Sequence, residues 1–268
     1  MKNILEKIIS KKKEKLKIYK NRYSENQLLE DIKINKANFF NFRNKIAENV
    51  SMKKISIIAE IKKASPSAGI IVENFDPVDI AKTYIDNGAS CISVLTEEDF
   101  FLGELNHIKN IKKNCQIPIL CKDFFIDTYQ VPLAKSFGAD CILIILSAVD
   151  KKLAIDLYQT AKDLKISTLI EIHSENEAEI ALNFEDSIIG INNRNLKSLE
   201  ISLDTSVKLS KILSDHRSPI VCESGIHSSD EIKFIIKNAN IYNFLIGESL
   251  LKNKDPGAKL RDFAQISV

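Results

Sequence analysis

What this sequence lacks narrows its class before any motif is considered. No apolar run reaches the roughly 18 residues that a membrane span requires. The opening stretch, MKNILEKIISKKKEKLKIYK, has no apolar h-region, so no secretory signal is expected. Cys91, Cys115, Cys121, Cys141 and Cys222 show no close pairing, and four of these 5 cysteines lie in apolar stretches. Buried, reduced thiols of a cytoplasmic protein fit that pattern better than disulfides or a metal site. His107, His173, His216 and His227 have no neighbours at metal-ligand spacing, so no metal is expected and ordinary surface or supporting roles are. The formal net charge of +2 is too small to argue for nucleic acid, and only the stretch Lys11 to Lys20 is locally basic. Glycine is scarce, at 8 residues, beside abundant Ile, Lys and Asn. That bias reflects nucleotide composition and carries no function.

What is present suffices for one large core. The chain has 268 residues, 44% hydrophobic and 28% charged; an α/β barrel takes about 250. Residues 1 to about 50 show helical periodicity without strand signals: Ile4, Ile8 and Ile9, then Leu28, Leu29 and Ile32, then Phe39, Phe40 and Phe42. From Ser56 onward, short runs rich in Ile, Val and Leu alternate with amphipathic helical stretches. Strands are expected at 56–61, 91–96, 118–122, 141–146, 167–171, 187–191, 219–223 and 243–247. Their spacing, about 20 to 35 residues, is one βα unit each time. Small-residue turns at Asn87-Gly88-Ala89 and Phe137-Gly138-Ala139-Asp140 close helices ahead of the next strand. Eight such units imply an α/β fold: a closed (β/α)8 TIM barrel in a single domain. Residues 1–50 form its N-terminal helical extension and 51–268 the barrel. An open doubly wound sheet would have fewer strands, and no Gly-x-Gly-x-x-Gly follows the first one.

Strands buried on both faces should be almost wholly apolar, yet several of these end in polar residues. Glu60 and Lys62 close the first, Lys122 the third and Glu171 the fifth. Asn192 and Arg194 follow the sixth, and Glu223 and Ser224 close the seventh. In a barrel all these ends meet at one mouth, where barrel enzymes place their chemistry. Charges so deep are costly unless paired or functional. Side-chain alternation puts Glu60 and Lys62 on one face and turns Cys121 and Cys222, beside Lys122 and Glu223, toward the helices as packing residues. After the seventh strand stands Ser224-Gly225, and after the eighth Gly247-Glu248-Ser249. Glycines at these two loops let backbone N–H groups approach a phosphate, with Arg194 and Lys62 as candidate counter-charges.

The ordered set of motifs resembles one family. Ile58-Ala-Glu-Ile-Lys-Lys-Ala-Ser-Pro-Ser67 is similar to the opening segment of indole-3-glycerol-phosphate synthases. So are Ser93-Val-Leu-Thr-Glu-Glu with Phe101-Leu-Gly103, Pro118-Ile-Leu-Cys-Lys-Asp-Phe124 and Leu169-Ile-Glu-Ile-His173. Gly190-Ile-Asn-Asn-Arg-Asn-Leu196, Glu223-Ser-Gly-Ile226 and Ile246-Gly-Glu-Ser-Leu250 continue the match to the carboxyl end. The resemblance implies ring closure, decarboxylation and dehydration of 1-(2-carboxyphenylamino)-1-deoxyribulose 5-phosphate to indole-3-glycerol phosphate, in tryptophan biosynthesis. It implies no cofactor and no metal. Lys122 resembles the general acid at the ketone, Glu171 the base of the dehydration, and Lys62 a lysine on the phosphate and carboxylate side. Glu60 and Asn192 match orienting positions, Glu223 and Ser224 substrate contacts, and Phe101 and Phe124 aromatics around the anthranilate ring. Arg194, Gly225, Gly247, Glu248 and Ser249 match the phosphate cradle, where Glu248 replaces a small residue of many relatives.

These residues also make chemical sense on their own. Ring closure onto a ketone needs an acid at its oxygen, where alkoxide charge develops. Dehydration needs both a base and an acid. A related phosphate barrel such as a phosphoribosylanthranilate isomerase is disfavoured, because that chemistry wants a Cys/Asp pair where Glu60-x-Lys62 stands. A non-catalytic barrel whose basic first helix binds nucleic acid or a partner is disfavoured too; a solvated helix face is expected for Lys11 to Lys20. The expected partner is a small phosphorylated substrate, with no nucleic acid, no membrane, and a monomer or weak homo-oligomer. Lys122 is expected to be partly buried and offset by Glu60, so that its replacement by Met leaves folding intact. Residues 1 to about 45 are expected to lie partly over the mouth.

Overall fold

The computed structural model describes residues 4–34, 39–52, 54–195 and 198–266. Eight parallel strands pair in sequence order and close into a barrel: β1 (Ser56–Ile61), β2 (Cys91–Leu95), β3 (Ile119–Lys122), β4 (Cys141–Ile145), β5 (Ser167–Ile172), β6 (Ile188–Asn192), β7 (Ile220–Glu223) and β8 (Asn243–Ile246). Each lies within one residue of its sequence-based bounds. Helices between them form the outer layer. Both small-residue turns end helices in left-handed glycines, Gly88 at φ +96° and Gly138 at φ +105°. Among the described residues, no helix is long and apolar enough to cross a membrane.

The two faces of each strand go to different cores. Ile57, Ala59, Ile92, Val94, Ile142 and Ile144 pack outward against the helices, together with Cys121 and Cys222. Ile58, Leu120, Leu143, Leu169, Val221 and Leu245 fill the barrel interior, with Cys91 and Cys141. All five cysteines are free and buried, and burial pushes the Cys121 thiol up to about 12 and that of Cys222 to about 11. Inert packing follows from that environment.

The three helices before β1 do three different jobs. Helix α1 (Ile4–Arg22) crosses the mouth, where Ile4, Leu5 and Ile8 roof the cavity. Helix α2 (Glu25–Ile34) descends along α6 (Gln130–Ser136). Helix α3 (Phe42–Ser51) closes the opposite end: Phe42 and Ile46, each 0% exposed, complete the interior core below Ile58, Leu120 and Ile188. Between α2 and α3, the Phe39 ring lies 4.2 Å from Lys135 Nζ and the Phe40 ring 4.4 Å from Lys112 Nζ. The Phe40 N–H donates to Asp140 at 2.7 Å.

Part of the basic stretch of α1 departs from its expected role as a solvated face, while Lys11, Lys13 and Lys17 remain exposed. Lys12 Nζ, buried, stands 2.7 Å from Asp123 Oδ1, and Lys20 pairs with Asp127 at 2.6 Å. Lys15 and the Tyr19 hydroxyl both reach Glu98. The reason is electrostatic: the loops after β2 and β3 present carboxylates to this helix, and the Lys12 partner is 111 residues away in sequence. A charge pattern confined to the helix cannot reveal such a partner.

Because Phe42 plugs the barrel rather than lining its mouth, Phe42→Ala should cost about 3–5 kcal/mol of stability. The Michaelis constant should stay near the wild-type value. Urea unfolding checks this, and a loss below about 1 kcal/mol would show that α3 is not part of the interior core.

Candidate active site

The same alternation that fills the interior with apolar side chains lifts Glu60, Lys122, Glu171, Asn192 and Glu223 into one polar layer above them. Strand register aligns these ends: Leu95 faces Lys122, Ile145 faces Glu171, and Asn192 faces Glu223. Lys122 Nζ stands 3.1 Å from Glu60 Oε2 and 3.1 Å from Glu223 Oε2. Lys62 Nζ closes on Glu60 Oε1 at 2.6 Å. Glu60 thus bridges two lysines, and Lys122 bridges two carboxylates. Two glycines make the layer possible, because a Cβ at Gly190 would overlap the Glu223 carboxylate and one at Gly247 would overlap Glu60.

A cavity of about 400 Å³ opens above this layer. Glu60, Lys62, Phe101, Lys122, Phe124, Glu171, Asn192 and Arg194 line it, as do Ser224, Gly225, Gly247, Glu248 and Ser249. The Phe101 and Phe124 rings lie 6.4 Å apart, tilted by 41°, on one wall. Glu97 fixes Phe101 there by accepting the N–H groups of Asp99, Phe100 and Phe101 at 3.1, 2.7 and 3.1 Å. Opposite, Arg194 donates its N–H to Asn192 Oδ1 at 3.0 Å, and Ser224 Oγ donates to the same oxygen at 2.9 Å. Ser224 and Gly225 are both left-handed, at φ +65° and +86°, which bends the loop into the cavity. The Ser249 hydroxyl is buried without a hydrogen-bond partner on a residue that lines the cavity. Glu248 stands 4.0 Å from Arg194 and is drawn away by Lys252 at 2.6 Å.

Charge states differ sharply across the floor. Burial pushes the Glu60 carboxyl up, but Lys62 and Lys122 outweigh it and hold it at about 2. Burial alone would lower Lys122, yet Glu60, Glu223 and Glu171 keep its ammonium well above the ordinary lysine value. Burial raises Glu223 to about 7, with Lys122 only partly offsetting it and Glu171 adding repulsion. Glu171, equally buried, is held below the ordinary glutamate value by His173, Lys122 and Asn192.

Glu223, expected as a substrate contact, is 0% exposed and lies beneath the residues that line the cavity, where it meets Lys122 at 3.1 Å. Gly190 leaves the room into which it sinks. Other contributors were not singled out from the sequence. Asp123 borders the cavity, anchors Lys12, and accepts from Thr96 Oγ1 at 2.8 Å. Asn193 ties the ends of β6 and β7 to α9 (Asp204–Ile212), donating to the carbonyls of Glu223 and Ser224 and accepting from Ser206. The only sequence signal for Asp123 and Asn193 was their place beside Lys122 and Asn192.

The sequence matches the family model for indole-3-glycerol phosphate synthase over residues 5–263. The chain belongs to the indole-3-glycerol phosphate synthase family. Its reaction is therefore that of this carboxy-lyase family in tryptophan biosynthesis: conversion of the phosphorylated carboxyphenylamino sugar to indole-3-glycerol phosphate. Solved structures of lower similarity share the barrel. Tryptophan synthase subunit alpha from Legionella pneumophila aligns at 12% identity and TM-score 0.62, over 84% of this chain and 97% of that one. A monomeric form of the dimeric phosphoribosylanthranilate isomerase from Thermotoga maritima aligns at 9% and 0.56, over 78% and 96%. 3-Hexulose-6-phosphate synthase from Salmonella typhimurium aligns at 14% and 0.60, over 79% and 97%. These three speak for the fold alone.

The floor of this family member also changes what Lys122→Met should do. Lys122 has two carboxylate partners, not the single one expected, so its loss leaves Glu223 without a cation. Glu223 is already raised from 4.5 to about 7 and should rise further. A raised carboxyl means that the folded form binds more protons than the unfolded one, so stability falls as pH rises through the folded value. Lys122→Met should therefore melt close to wild type below pH ~6 and lose about 2 kcal/mol relative to it by pH ~8.5, at about 1.4 kcal/mol per pH unit. Melting curves across that range test this; an offset that does not grow with pH refutes it.

Proposed function

We propose that Lys122 is the general acid of the ring closure. The observation that carries this role is its ammonium on the cavity floor, 3.1 Å from both Glu60 and Glu223 and kept charged by them. A charged ammonium there donates to the ketone oxygen as the aromatic carbon attacks, and it meets the growing alkoxide charge without reorganisation. Phe101 and Phe124 hold the anthranilate ring. Lys62, tied to Glu60 at its inner side, faces the carboxylate until carbon dioxide leaves and the ring regains aromaticity. Dehydration then uses Glu171 as base, with Lys62 or Lys122 protonating the departing hydroxyl. Asn192 orients Glu171 and the Ser224 side. Glu60 positions both lysines, and Glu223 supports Lys122 from below.

Arg194, the backbone at Gly225 and Gly247, and the free Ser249 hydroxyl form the phosphate cradle, with Lys62 at its edge. Lys252 keeps the Glu248 carboxylate turned from Arg194, which leaves the guanidinium available to the phosphate. The proton inventory is one-sided: a carboxylate enters and carbon dioxide, water and a neutral indole leave. One proton per turnover must come from solvent.

The chain acts as one domain, because α3 lies inside the barrel core. Five reduced, buried thiols support a cytoplasmic location. Exposed apolar side chains such as Ile34, Ile155 and Phe234 are dispersed over different helices, which favours a monomer or weak homo-oligomer. Lys12, Lys15 and Lys20 of α1 are paired with barrel carboxylates, which weakens a nucleic-acid reading of this stretch.

Two measurements address these roles. Lys122→Met, assayed below pH ~6 where it folds, should lower kcat by about 10²–10⁴ with a far smaller change in KM. Wild-type turnover in a folded variant would remove Lys122 from the chemistry. Sulfate at about 100 times its dissociation constant should add roughly 2.7 kcal/mol of stability, compared with chloride at equal ionic strength. Arg194→Ala should abolish most of that gain, and equal gains in both proteins would place the anion elsewhere.

A further inference from the structure

His173 has no part in the roles assigned above, yet its surroundings are specific. It directly follows β5, and its side chain is 12% exposed. Nε2 stands 3.3 Å from Glu171 Oε1, and Nδ1 stands 3.5 Å from Glu177 Oε2 on α8 (Glu175–Ala181). The His173 N–H donates to the same Glu177 oxygen at 2.7 Å, so the end of β5 and the first turn of α8 hold each other in place. A neutral imidazole has one N–H and one lone pair. Placed between two carboxylates, it would turn that lone pair on one of them. Only the imidazolium carries a charge that attracts both, and the two contacts are ion pairs rather than hydrogen bonds.

We propose that His173 is a positioning residue for the reaction: its imidazolium, fixed between Glu171 and Glu177, keeps Glu171 ionised and turned toward the substrate so that it serves as a base. This rests on the assignment of Glu171 as the base. The charged groups that face the pair are Glu171 itself on β5, Glu177 on α8, Lys122 on β3 and Glu223 on β7. Burial pushes His173 down, but Glu171 and Glu177 outweigh it and carry the ring up to about 10. The comparison with Glu223 shows what the histidine does. Both carboxylates are buried in the same floor and share Lys122, yet Glu223 drifts up to about 7 while Glu171 falls below the ordinary value. Glu171 has a second cation behind it and Glu223 has none among the described groups that set its titration. Two chemically equal groups are thereby given different protonation states, which is what a base needs beside an acid-holding partner.

The test is the pH profile of kcat with the carboxyphenylamino-deoxyribulose phosphate. In His173→Gln the acid limb should move up by about three units, with kcat at pH 6 reduced about tenfold, KM little changed, and the rate recovered near pH 8.5. His173→Lys, which returns a cation, should bring the limb back toward wild type. A uniform loss at every pH, or an unmoved limb, overturns the proposal. Glu171→Gln separates the two assignments: wild-type turnover there removes the base itself, whereas an inactive Glu171→Gln beside an unmoved His173→Gln limb removes only the role of His173. Nitrogen-15 spectra of the unaltered protein need no variant to fold. Both His173 nitrogens should remain protonated at pH 8, and a neutral ring at pH 7 overturns the proposal.

Discussion

A buried ammonium ringed by carboxylates dominates this molecule. Lys122 sits at the end of a strand whose other side chains are apolar, where desolvation of a lone charge would be prohibitive. Glu60 and Glu223, 3.1 Å away on either side, make it tolerable. They need the barrel to do so, because β1, β3 and β7 come together only when the sheet closes. The electrostatics of the floor and the closure of the barrel are therefore one condition. Glycine at 190 and 247 follows from it, since any side chain there would displace the carboxylates that hold the lysine.

The helices ahead of the barrel serve this floor from both ends. Phe42 and Ile46 seal the base, which keeps water from the apolar layers under the charges and preserves the low dielectric in which those charges act strongly. At the other end α1 carries Lys12 down to Asp123, the neighbour of Lys122 in sequence. That pair fixes the start of the loop that also presents Phe124. The extension therefore acts on the site by holding the backbone around Lys122 and by roofing the cavity with Ile4, Leu5 and Ile8.

The fold and most of the site were legible because both follow from short periods in the sequence. A period of two placed Glu60 with Lys62 inside and turned Cys121 and Cys222 outward, and the strand ends named nearly every residue of the cavity wall. What stayed hidden depended on distance in sequence or on backbone turns. Lys12 and Asp123 pair across 111 residues, and Lys122 and Glu223 across 101; no local pattern encodes either. Phe42 read as an apolar helical residue, but nothing local distinguishes the barrel floor from its roof. The depth at which Glu223 is buried depends on the space left by Gly190, which composition does not reveal.

The floor also shows how one set of like groups is divided into unlike functions. Glu60, Glu171 and Glu223 share residue type, burial and proximity to Lys122. Glu60 is pinned between two lysines and ionised throughout the physiological range, so it is suited to holding cations and poorly suited to moving protons. Glu223 titrates near neutrality and can take up or release a proton there while Lys122 stays charged. Glu171 is kept ionised from behind while its front faces the substrate space. A reaction that consumes one solvent proton, and needs an acid twice and a base once, requires such a spread of proton affinities. Three carboxylates of equal affinity would each be partly protonated, and none would be reliably base or counter-charge. The differences come from the cations placed behind and beside each carboxylate, so the proton affinities of the floor are set by lysine and histidine positions at least as much as by the glutamates themselves.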